Sequence, residues 1–306
     1  METESSRRRK GNWYAVGAHA IWGLFPIYWK LLRHVPAQQL LCHRILWSCV
    51  PLFAAVLASG QWAAFRRTAF KRGVLAAYTV AAVMISINWF TYVWAVNAGF
   101  IVETSLGYFI NPLLSVFIGV IFLREHLRPW QWVPVGLAGF AILYLTYSYG
   151  TPPWIALVLA STWAVYGLIK KIAPLGSLHG LTLETGLLLP LVLAYLVYVE
   201  SAGKGAFIQG GPACDVLLVG AGVVTVVPLF LFALALRRIT LIMAGILQYI
   251  SPTLQFLCGV VLYREPLTAS RVIGFGIVWV ALAIFGVEGF LTYRRAQGAS
   301  LRRARS

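Results

Sequence analysis

Ten long runs of apolar residues alternate with short polar stretches along the chain of 306 residues. A run of about 18 or more residues with few charges is typical of a membrane-crossing α-helix, because a helix satisfies its own backbone inside lipid. The runs are continuous and do not alternate with period two, which favours helices over a transmembrane β-barrel. The pattern therefore predicts an all-α integral membrane protein with ten transmembrane helices. The predicted spans are residues 12–32, 38–59, 73–98, 102–123, 130–149, 154–169, 180–199, 216–236, 241–263 and 272–293.

A stretch of the fourth run recurs in the ninth run. Residues 105–112 read SLGYFINP and residues 245–252 read GILQYISP, and an Arg-Glu pair follows each after a further apolar run. Eight of the 23 positions that begin at 105 and at 245 are identical. Because each half has five spans, an odd number, the second half starts on the opposite side of the membrane and the repeat is inverted. The expected divisions are a tail at 1–11, two five-helix units at 12–149 and 154–293, and a tail at 294–306.

The two repeated stretches each end in a proline, Pro112 and Pro252, which lie 140 positions apart. A proline inside an apolar helix removes a backbone donor and kinks the segment. Paired proline-interrupted segments in two halves of a membrane protein point to the binding site of a transporter. Pro112 and Pro252 are therefore candidate hinges. The alternative is two ordinary kinked helices, because proline is common in membrane helices.

The charged residues are few and mostly basic, with 25 Lys and Arg, nine Asp and Glu, and a formal net charge of +16. With the ten predicted spans, nineteen of the basic residues, including Lys170 and Lys171, fall on one side of the membrane and five on the other. Since basic loops tend to remain in the cytoplasm, we expect both termini there. The basic residues form short clusters between apolar runs, so we expect the lipid bilayer and not nucleic acid as a partner.

Two charges lie inside predicted spans at equivalent positions of the repeat, Arg44 and Glu184, which are 140 residues apart. A charge inside the membrane costs at least about 2.5–3.5 kcal/mol, so it normally faces a partner or a cavity. The two residues could pair with each other, bind an anionic or zwitterionic substrate, or shuttle protons. The alternative is an arginine that extends to the membrane surface and a glutamate near a helix end.

Other polar and aromatic side chains cluster near the prolines or lie on the third span. Polar side chains near a proline can satisfy the carbonyl that the proline frees, and two such kinks would form a polar chamber with aromatic walls. Asparagine in a membrane helix usually hydrogen bonds to a neighbouring helix, and many aromatic residues belong to the membrane interfaces. With Arg44 and Glu184, the predicted substrate-binding residues are Asn88, Trp94, Tyr108, Asn111, Gln248 and Tyr249.

No familiar catalytic motif is present: the sequence has no H-E-x-x-H, no P-loop and no G-x-S-x-G. Four scattered cysteines and five scattered histidines lack metal-binding spacing, so we expect no metal site and no cofactor. A secondary transporter of small molecules is therefore the first hypothesis. An intramembrane enzyme that acts on lipids and a non-transporting membrane receptor are the alternatives, and saturable flux of a labelled metabolite distinguishes transport from both.

Several motifs resemble the RarD family, in the EamA group of the drug/metabolite transporter superfamily. They are WGLFP at 22–26 with Lys30, HRILWS at 43–48, NW at 88–89, WAVN at 94–97, ETSLGYFINP at 103–112, YGL at 166–168, ET at 184–185 and LQYISPT at 247–253. The resemblance implies a ten-helix protein of the bacterial inner membrane, with two inverted repeats around a central cavity. It also implies transport of small molecules, with efflux as the expected direction.

The resemblance and the residues together give an expected site. Arg44 would attract a carboxylate, Glu184 an amine or a proton, and the aromatic side chains a planar body, so the substrate would be amphipathic or amino-acid-like. Proton coupling is expected from the intramembrane carboxylates. The family often has an acidic residue shortly before the His-Arg pair, where this chain has Gln38 and Gln39. Without that acid, Glu184 or the substrate is the expected partner of Arg44.

Overall fold

The structure is a computed structural model that describes residues 4–97, 101–127, 129–149, 154–262, 264 and 269, with scattered positions of the tenth predicted span at 272–273, 276–277, 279–280, 283–284 and 287. Every regular element in this part of the chain is helical. The helices are α1 (Glu4–Gly23), α2 (Phe25–Leu31), α3 (Ala37–Ala58), α4 (Trp62–Ala69), α5 (Arg72–Asn97), α6 (Ile101–Leu123), α7 (Trp132–Tyr149), α8 (Trp154–Ile172), α9 (Ser177–Ser201), α10 (Pro212–Leu236), α11 (Leu241–Leu247) and α12 (Ile250–Leu257). A π-helical turn, Cys258–Leu262, continues α12.

Six helical segments in the described ranges are long and apolar enough to cross a membrane, which confirms the prediction of an all-α membrane protein. A further apolar stretch, Ile110–Leu123, is shorter. The count of ten spans is consistent with these elements, but most of the tenth span and the tail at 294–306 lie outside the described residues. The six segments are Ala37–Ala58, Arg72–Tyr92, Trp154–Ile172, Ser177–Ser201, Pro212–Leu236 and Leu241–Leu262.

The first predicted span consists of two helices. Helix α1 begins at Glu4, before the predicted start at residue 12, and ends at Gly23. Helix α2 follows with Pro26 in its first turn, where a missing backbone N–H costs nothing. The interruption therefore follows from the proline.

A short helix that the apolar pattern does not predict, α4, connects α3 to α5. It is amphipathic: Phe65 and Ala69 are buried, whereas Arg66 and Arg67 are exposed. Such a helix suits the membrane surface, where one face meets apolar groups and the other meets water.

The two repeated prolines differ in the structure. Helix α6 runs unbroken from Ile101 to Leu123 through Pro112. The ninth span is interrupted between α11 and α12, next to Pro252. Because Pro252 has no N–H to donate to the Gln248 carbonyl, that carbonyl accepts from the Ser251 N–H at 3.1 Å. The expected pair of matching helix interruptions is therefore present in the second half only.

Helices α6 and α11, which correspond to each other in the repeat, run antiparallel. The Glu125 carboxylate, after the end of α6, accepts hydrogen bonds from the Leu241 and Ile242 N–H groups at 2.8 and 3.0 Å. Earlier in α6, Ser115 Oγ lies 3.4 Å from Gln248 Nε2, just after the end of α11. Since later residues of α6 contact earlier residues of α11, the two halves are inverted.

The second pair of corresponding helices, α3 and α9, is also antiparallel. Ile45, early in α3, packs with Val192 and Leu196 late in α9. Leu52, a few residues further along α3, packs with Leu181 near the start of α9. The inverted repeat predicted from the odd number of spans is therefore present in the packing.

The halves interlock across this pseudo-twofold arrangement. Helix α1 packs on α10, and the equivalent helices α8 and α5 pack on each other. Helix α3 contacts both α9 and α10, while α6 contacts both α8 and α11. The residues of α3 and α9 that face the partner half consequently lie in the interior of the protein.

Candidate functional site

Arg44, on α3, is surrounded by aromatic rings. Its Nε donates a hydrogen bond to Thr225 Oγ1 on α10 at 2.9 Å. Its guanidinium carbon lies 4.7 Å from the Trp29 ring centroid, 4.9 Å from that of Trp89 and 5.9 Å from that of Phe25. Rings at these distances attract a cation through the negative faces of their π-systems. The arginine is only partly buried, so part of its surface remains accessible.

Glu184, on α9, forms a salt bridge with Lys170 on α8. The Lys170 Nζ lies 2.8 Å from Glu184 Oε1, and the Tyr166 hydroxyl donates to Oε2 at 3.1 Å. Lys170 and Glu184 are 4% and 3% exposed. Lys170, which was predicted to lie just after the sixth span among the basic residues of one membrane side, is therefore buried in an ion pair within α8. Glu184 takes Lys170 as its partner, and no carboxylate pairs with Arg44 among the residues that the structure describes.

These two groups of side chains occupy equivalent places in the inverted repeat. We call the first the arginine half-site (Phe25, Trp29 and Arg44) and the second the ion-pair half-site (Tyr166, Lys170 and Glu184). The corresponding positions, 140 or 141 residues apart, are Phe25 and Tyr166, Trp29 and Lys170, and Arg44 and Glu184. The geometry is repeated while the chemistry differs: aromatic rings contact the cation in one half, and an ammonium neutralises the carboxylate in the other.

A small cavity lies between the two half-sites. Its volume is about 20 Å³, which is enough for about one water molecule. Trp89 and Thr225, both in contact with Arg44, line it together with Tyr166 and Glu184. Phe25, Trp29 and Arg44 do not line the cavity themselves, so the arginine half-site borders it only through Trp89 and Thr225. The cavity is too small for a metabolite.

Tyr108 belongs to this region. Its ring packs against that of Tyr92, with centroids 5.7 Å apart, and both tyrosines lie near Arg44. The structure thus places Tyr108 near the arginine half-site.

Two predicted site residues on α5 are placed differently. The Asn88 amide donates to the Leu159 carbonyl at 2.7 Å and to Thr162 Oγ1 at 3.0 Å, which links α5 to α8. Trp94 packs against Trp154, with ring centroids 5.7 Å apart, and is 39% exposed. Neither residue lines the cavity between the half-sites.

The polar residues around the prolines form a second group, where α6 meets α11. Gln248 contacts Ser115, and the buried Asn111 Oδ1 accepts no hydrogen bond from any described group. Tyr249 is also buried, at 5% exposure. Asn111, Gln248 and Tyr249 do not line the cavity beside Arg44 and Glu184.

An aromatic cluster beside α1 contains a contact between equivalent residues of the two halves. The rings of Trp22 and Trp163 meet edge to face, with centroids 5.3 Å apart. They are 141 positions apart in the sequence, so their contact lies on the pseudo-twofold axis. Phe232 and His19 complete the cluster, and His19 Nδ1 lies 3.1 Å from Ser251 Oγ. The offset indicates that the two tryptophans are equivalent, but their contact appears only in the structure.

On one membrane side, polar contacts connect the ends of four helices. We call Glu125, Lys171 and Arg237 the latch. Besides its bonds to the start of α11, Glu125 lies 3.7 Å from Lys171 Nζ. Lys171 donates to the Ile239 carbonyl at 2.6 Å, and Arg237 donates to the carbonyls of Ala173 and Leu175. The latch therefore ties the ends of these helices together on this side of the protein.

Gln39, where the family often has an acid, connects α3 to the loop before α10. Its Nε2 donates to the Lys204 carbonyl at 2.8 Å, and its Oε1 accepts from the Ala206 N–H at 2.7 Å. An amide supplies both a donor and an acceptor, whereas an ionised carboxylate only accepts. A glutamine at position 39 can therefore form both hydrogen bonds to this loop, whereas an ionised glutamate could form only the one to the Ala206 N–H.

The residues that sequence reasoning missed are Phe25, Trp29, Trp89, Tyr166, Lys170 and Thr225 as neighbours of the two charges. The sequence did contain a signal for Trp29 and Lys170. They are 141 residues apart and so occupy equivalent positions of the repeat, as Arg44 and Glu184 do. This signal was obscured because the sixth span was predicted to end at residue 169, whereas α8 continues to Ile172.

Comparison with known proteins agrees with this architecture. Residues 9–147 match the EamA-like transporter family. One solved structure, titled only as the crystal structure of a protein, matches with a TM-score of 0.65 at 17% identity, covering 90% of this chain and 97% of that one. At this identity the likeness concerns the fold alone.

Close similarity to curated bacterial proteins extends over nearly the whole chain. Protein RarD of Streptomyces exfoliatus is 42% identical over 97% of this chain and 94% of its own length. The uncharacterized transporter YojE of Bacillus subtilis is 42% identical over 92% of this chain and 95% of its own. Protein RarD of Escherichia coli is 38% identical over 95% and 99%, respectively. The chain therefore belongs to the RarD family, in the EamA group of the drug/metabolite transporter superfamily, and is a membrane transporter of that type.

Proposed function

We propose that the protein is a secondary transporter that exports a small amphipathic molecule by alternating access, and that it is not an enzyme. The observation that carries the proposal is the cavity between the arginine and ion-pair half-sites, which come from opposite halves of an inverted repeat. Inverted repeats allow two halves to rock about a central site, so that the site opens to one membrane side at a time.

In this proposal the substrate binds between the halves beside Arg44. The guanidinium attracts an anionic group, while Trp29, Trp89 and Tyr108 provide aromatic surface for the body of the molecule. Because the cavity is now about 20 Å³, binding requires the helices around it to separate. Asn88, Asn111, Gln248, Tyr249 and Trp94 act around this site through helix contacts, not as its lining.

The movement that we propose opens the latch. Separation of α6 from α11 breaks the bonds of Glu125 to the first turn of α11, and Lys171 and Arg237 release their carbonyl partners. Pro112 and Pro252 are the proposed hinges. Pro252 lies where the ninth span is already interrupted, which makes that helix the easier one to bend.

We also propose that protons drive export through Glu184. This carboxylate is buried in the interior and held by Lys170 and Tyr166, so protonation would break its ion pair and loosen α8 from α9. A buried acid inside a membrane protein is the kind of group that proton-coupled transporters use.

The proposed location is the bacterial inner membrane, with both termini in the cytoplasm. The excess of Lys and Arg on one side carries this orientation even when the buried Lys170 is removed from the count. The latch then lies on the cytoplasmic side. Labelling of single cysteines introduced into the loops 59–61 and 202–211, tested from each side of the membrane, would check the orientation.

The experiment that tests the function is transport by purified protein in liposomes loaded with a mixture of labelled metabolites. We expect saturable flux of at least one compound, with Arg44→Ala and Glu184→Gln abolishing it while the variants remain folded by thermal melting. Liposomes without protein, and the exposed-site variant Lys30→Gln, are the controls. Wild-type flux in both site variants would remove these roles, and the absence of any flux would favour a receptor.

A further inference from the structure

The charges of the two half-sites do not cancel. Lys170 and Glu184 neutralise each other at 2.8 Å. Arg44 adds a positive charge that no described carboxylate contacts. A charge inside the membrane without a counter-ion is costly, and aromatic faces offset only part of that cost. The described part of the site therefore has one excess positive charge, which an anion bound there would neutralise.

The guanidinium of Arg44 also has N–H groups without an acceptor among the described residues. Only its Nε has a hydrogen-bond partner among the described groups, Thr225 Oγ1. Trp29 and Trp89 contact the group through their ring faces and accept no in-plane hydrogen bond from it. Among the described residues the two terminal nitrogens therefore have no acceptor, and a guanidinium with these donors available binds a carboxylate through two parallel hydrogen bonds.

The ion-pair half-site is poorly suited to a substrate ammonium. Both carboxylate oxygens of Glu184 are occupied, Oε1 by Lys170 and Oε2 by Tyr166. An ammonium group would have to displace Lys170 and would then lie beside its positive charge. Glu184, which was expected to bind the amine of a zwitterion, is thus already neutralised by Lys170.

We infer that the substrate carries a net negative charge: an organic anion with a carboxylate on a planar, apolar body, rather than an amine or an amino acid. This inference rests on the proposed transport function and specifies the substrate class of the same site. The carboxylate binds the terminal nitrogens of Arg44, and the planar body packs beside Trp29, Trp89 and Tyr108. Glu184 stays paired with Lys170 while the anion binds.

Binding of matched probes to the purified full-length protein tests the inference. The probes are phenylacetate, indole-3-acetate and 2-naphthoate, each beside its neutral amide, together with phenethylamine and phenylalanine. Quenching of tryptophan fluorescence and the shift in melting temperature report binding. We expect at least one carboxylate to bind about tenfold or more tightly than its amide, the amine and the amino acid.

Variants identify the group responsible for the preference. Arg44→Gln should abolish it and Arg44→Lys should retain part of it, while Lys30→Gln, which removes an exposed charge from α2, should leave it intact. Glu184→Gln should keep carboxylate binding, because that residue is not the substrate's partner. A zwitterionic substrate would instead lose affinity in Glu184→Gln.

The outcomes separate this inference from the proposed function. A wild-type protein that binds none of the three carboxylates, or binds the amine as tightly, overturns the inference. Glu103 lies at the start of the fourth predicted span, and its side chain is outside the described part of the structure. A Glu103→Gln variant with a carboxylate preference absent from the wild type would identify Glu103 as the counter-ion of Arg44 and would also overturn the inference. Carboxylate binding without flux in liposomes leaves the inference standing and overturns transport. Flux of cations alone leaves transport standing and overturns the inference.

Discussion

The Lys170 ammonium lies 2.8 Å from the Glu184 carboxylate, and both side chains are almost fully buried. The pair occupies the place that Trp29 and Arg44 hold in the other half of the protein. Burying two charges costs solvation on both, and removing only one leaves the other uncompensated. Each residue of the pair therefore depends on the other for its place in the interior.

We predict that Lys170→Met destabilises the protein by about 3–5 kcal/mol, because it leaves Glu184 charged and unpaired in the interior. The double variant Lys170→Met/Glu184→Gln should recover most of this loss, since both charges are gone. Thermal unfolding in detergent measures the effect. Lys30→Met is the control, because that lysine is exposed. A double variant no more stable than the single one would contradict the prediction.

Glu125 should slow the hydrogen exchange of the backbone amides in the first turn of α11. Loss of its charge-assisted bonds to the Leu241 and Ile242 N–H groups, worth about 1.5–3 kcal/mol, should speed amide exchange there by about tenfold or more. Hydrogen–deuterium exchange of Glu125→Ala measures this. The neighbouring exposed Arg124→Gln should leave the same amides unchanged, and equal exchange in both variants would rule out the latch.

Gln39→Glu should destabilise the loop before α10. A carboxylate can still accept from Ala206 but cannot donate to the Lys204 carbonyl, so we expect a loss of about 1–3 kcal/mol. The adjacent Gln38 is exposed, so Gln38→Glu introduces the same charge without this contact. Melting temperatures of the two variants should differ, with only Gln39→Glu lowered.

Gly222 allows α10 to pack closely on α3. A Cβ at this position would overlap the backbone of Trp47, which cannot move aside as a flexible side chain can. Gly222→Ala should therefore cost about 1–3 kcal/mol through forced separation of the helices. Gly136→Ala, where a Cβ would meet no atom within 4 Å, is the matched control. Equal stability of the two variants would show that the contact is not constrained.

If protons drive export through Glu184, collapsing the pH gradient should stop net flux in liposomes. Glu184→Gln should bind substrate yet transport it no faster when a gradient is imposed, because the side chain can no longer exchange a proton. Flux with and without an ionophore that dissipates the gradient is the measurement. An unchanged wild-type rate after collapse of the gradient would remove proton coupling and leave the transport proposal intact.

The sequence by itself determined the class of the protein and the symmetry of its plan. The sequence shows the length of the apolar runs, the 140-residue offset and the odd number of spans per half. None of these properties depends on how the helices pack. They led correctly to an all-α membrane protein with inverted halves. The same offset identified Arg44 and Glu184, because a charge inside an apolar run stands out locally.

Only the tertiary structure decided which groups those charges contact. The partner of Glu184 depends on how α8 is rotated and how far it extends. The predicted span ended at residue 169 and left Lys170 outside it, whereas α8 continues to Ile172 and Lys170 is buried. The rings beside Arg44 come from α2 and α5, whose facing sides no periodicity specified. The rotation of α5 likewise leaves Trp94 exposed, and the rotation of α3 places Gln39 against the loop before α10. Contacts between helices depend on rotation and depth, which packing of the whole protein sets.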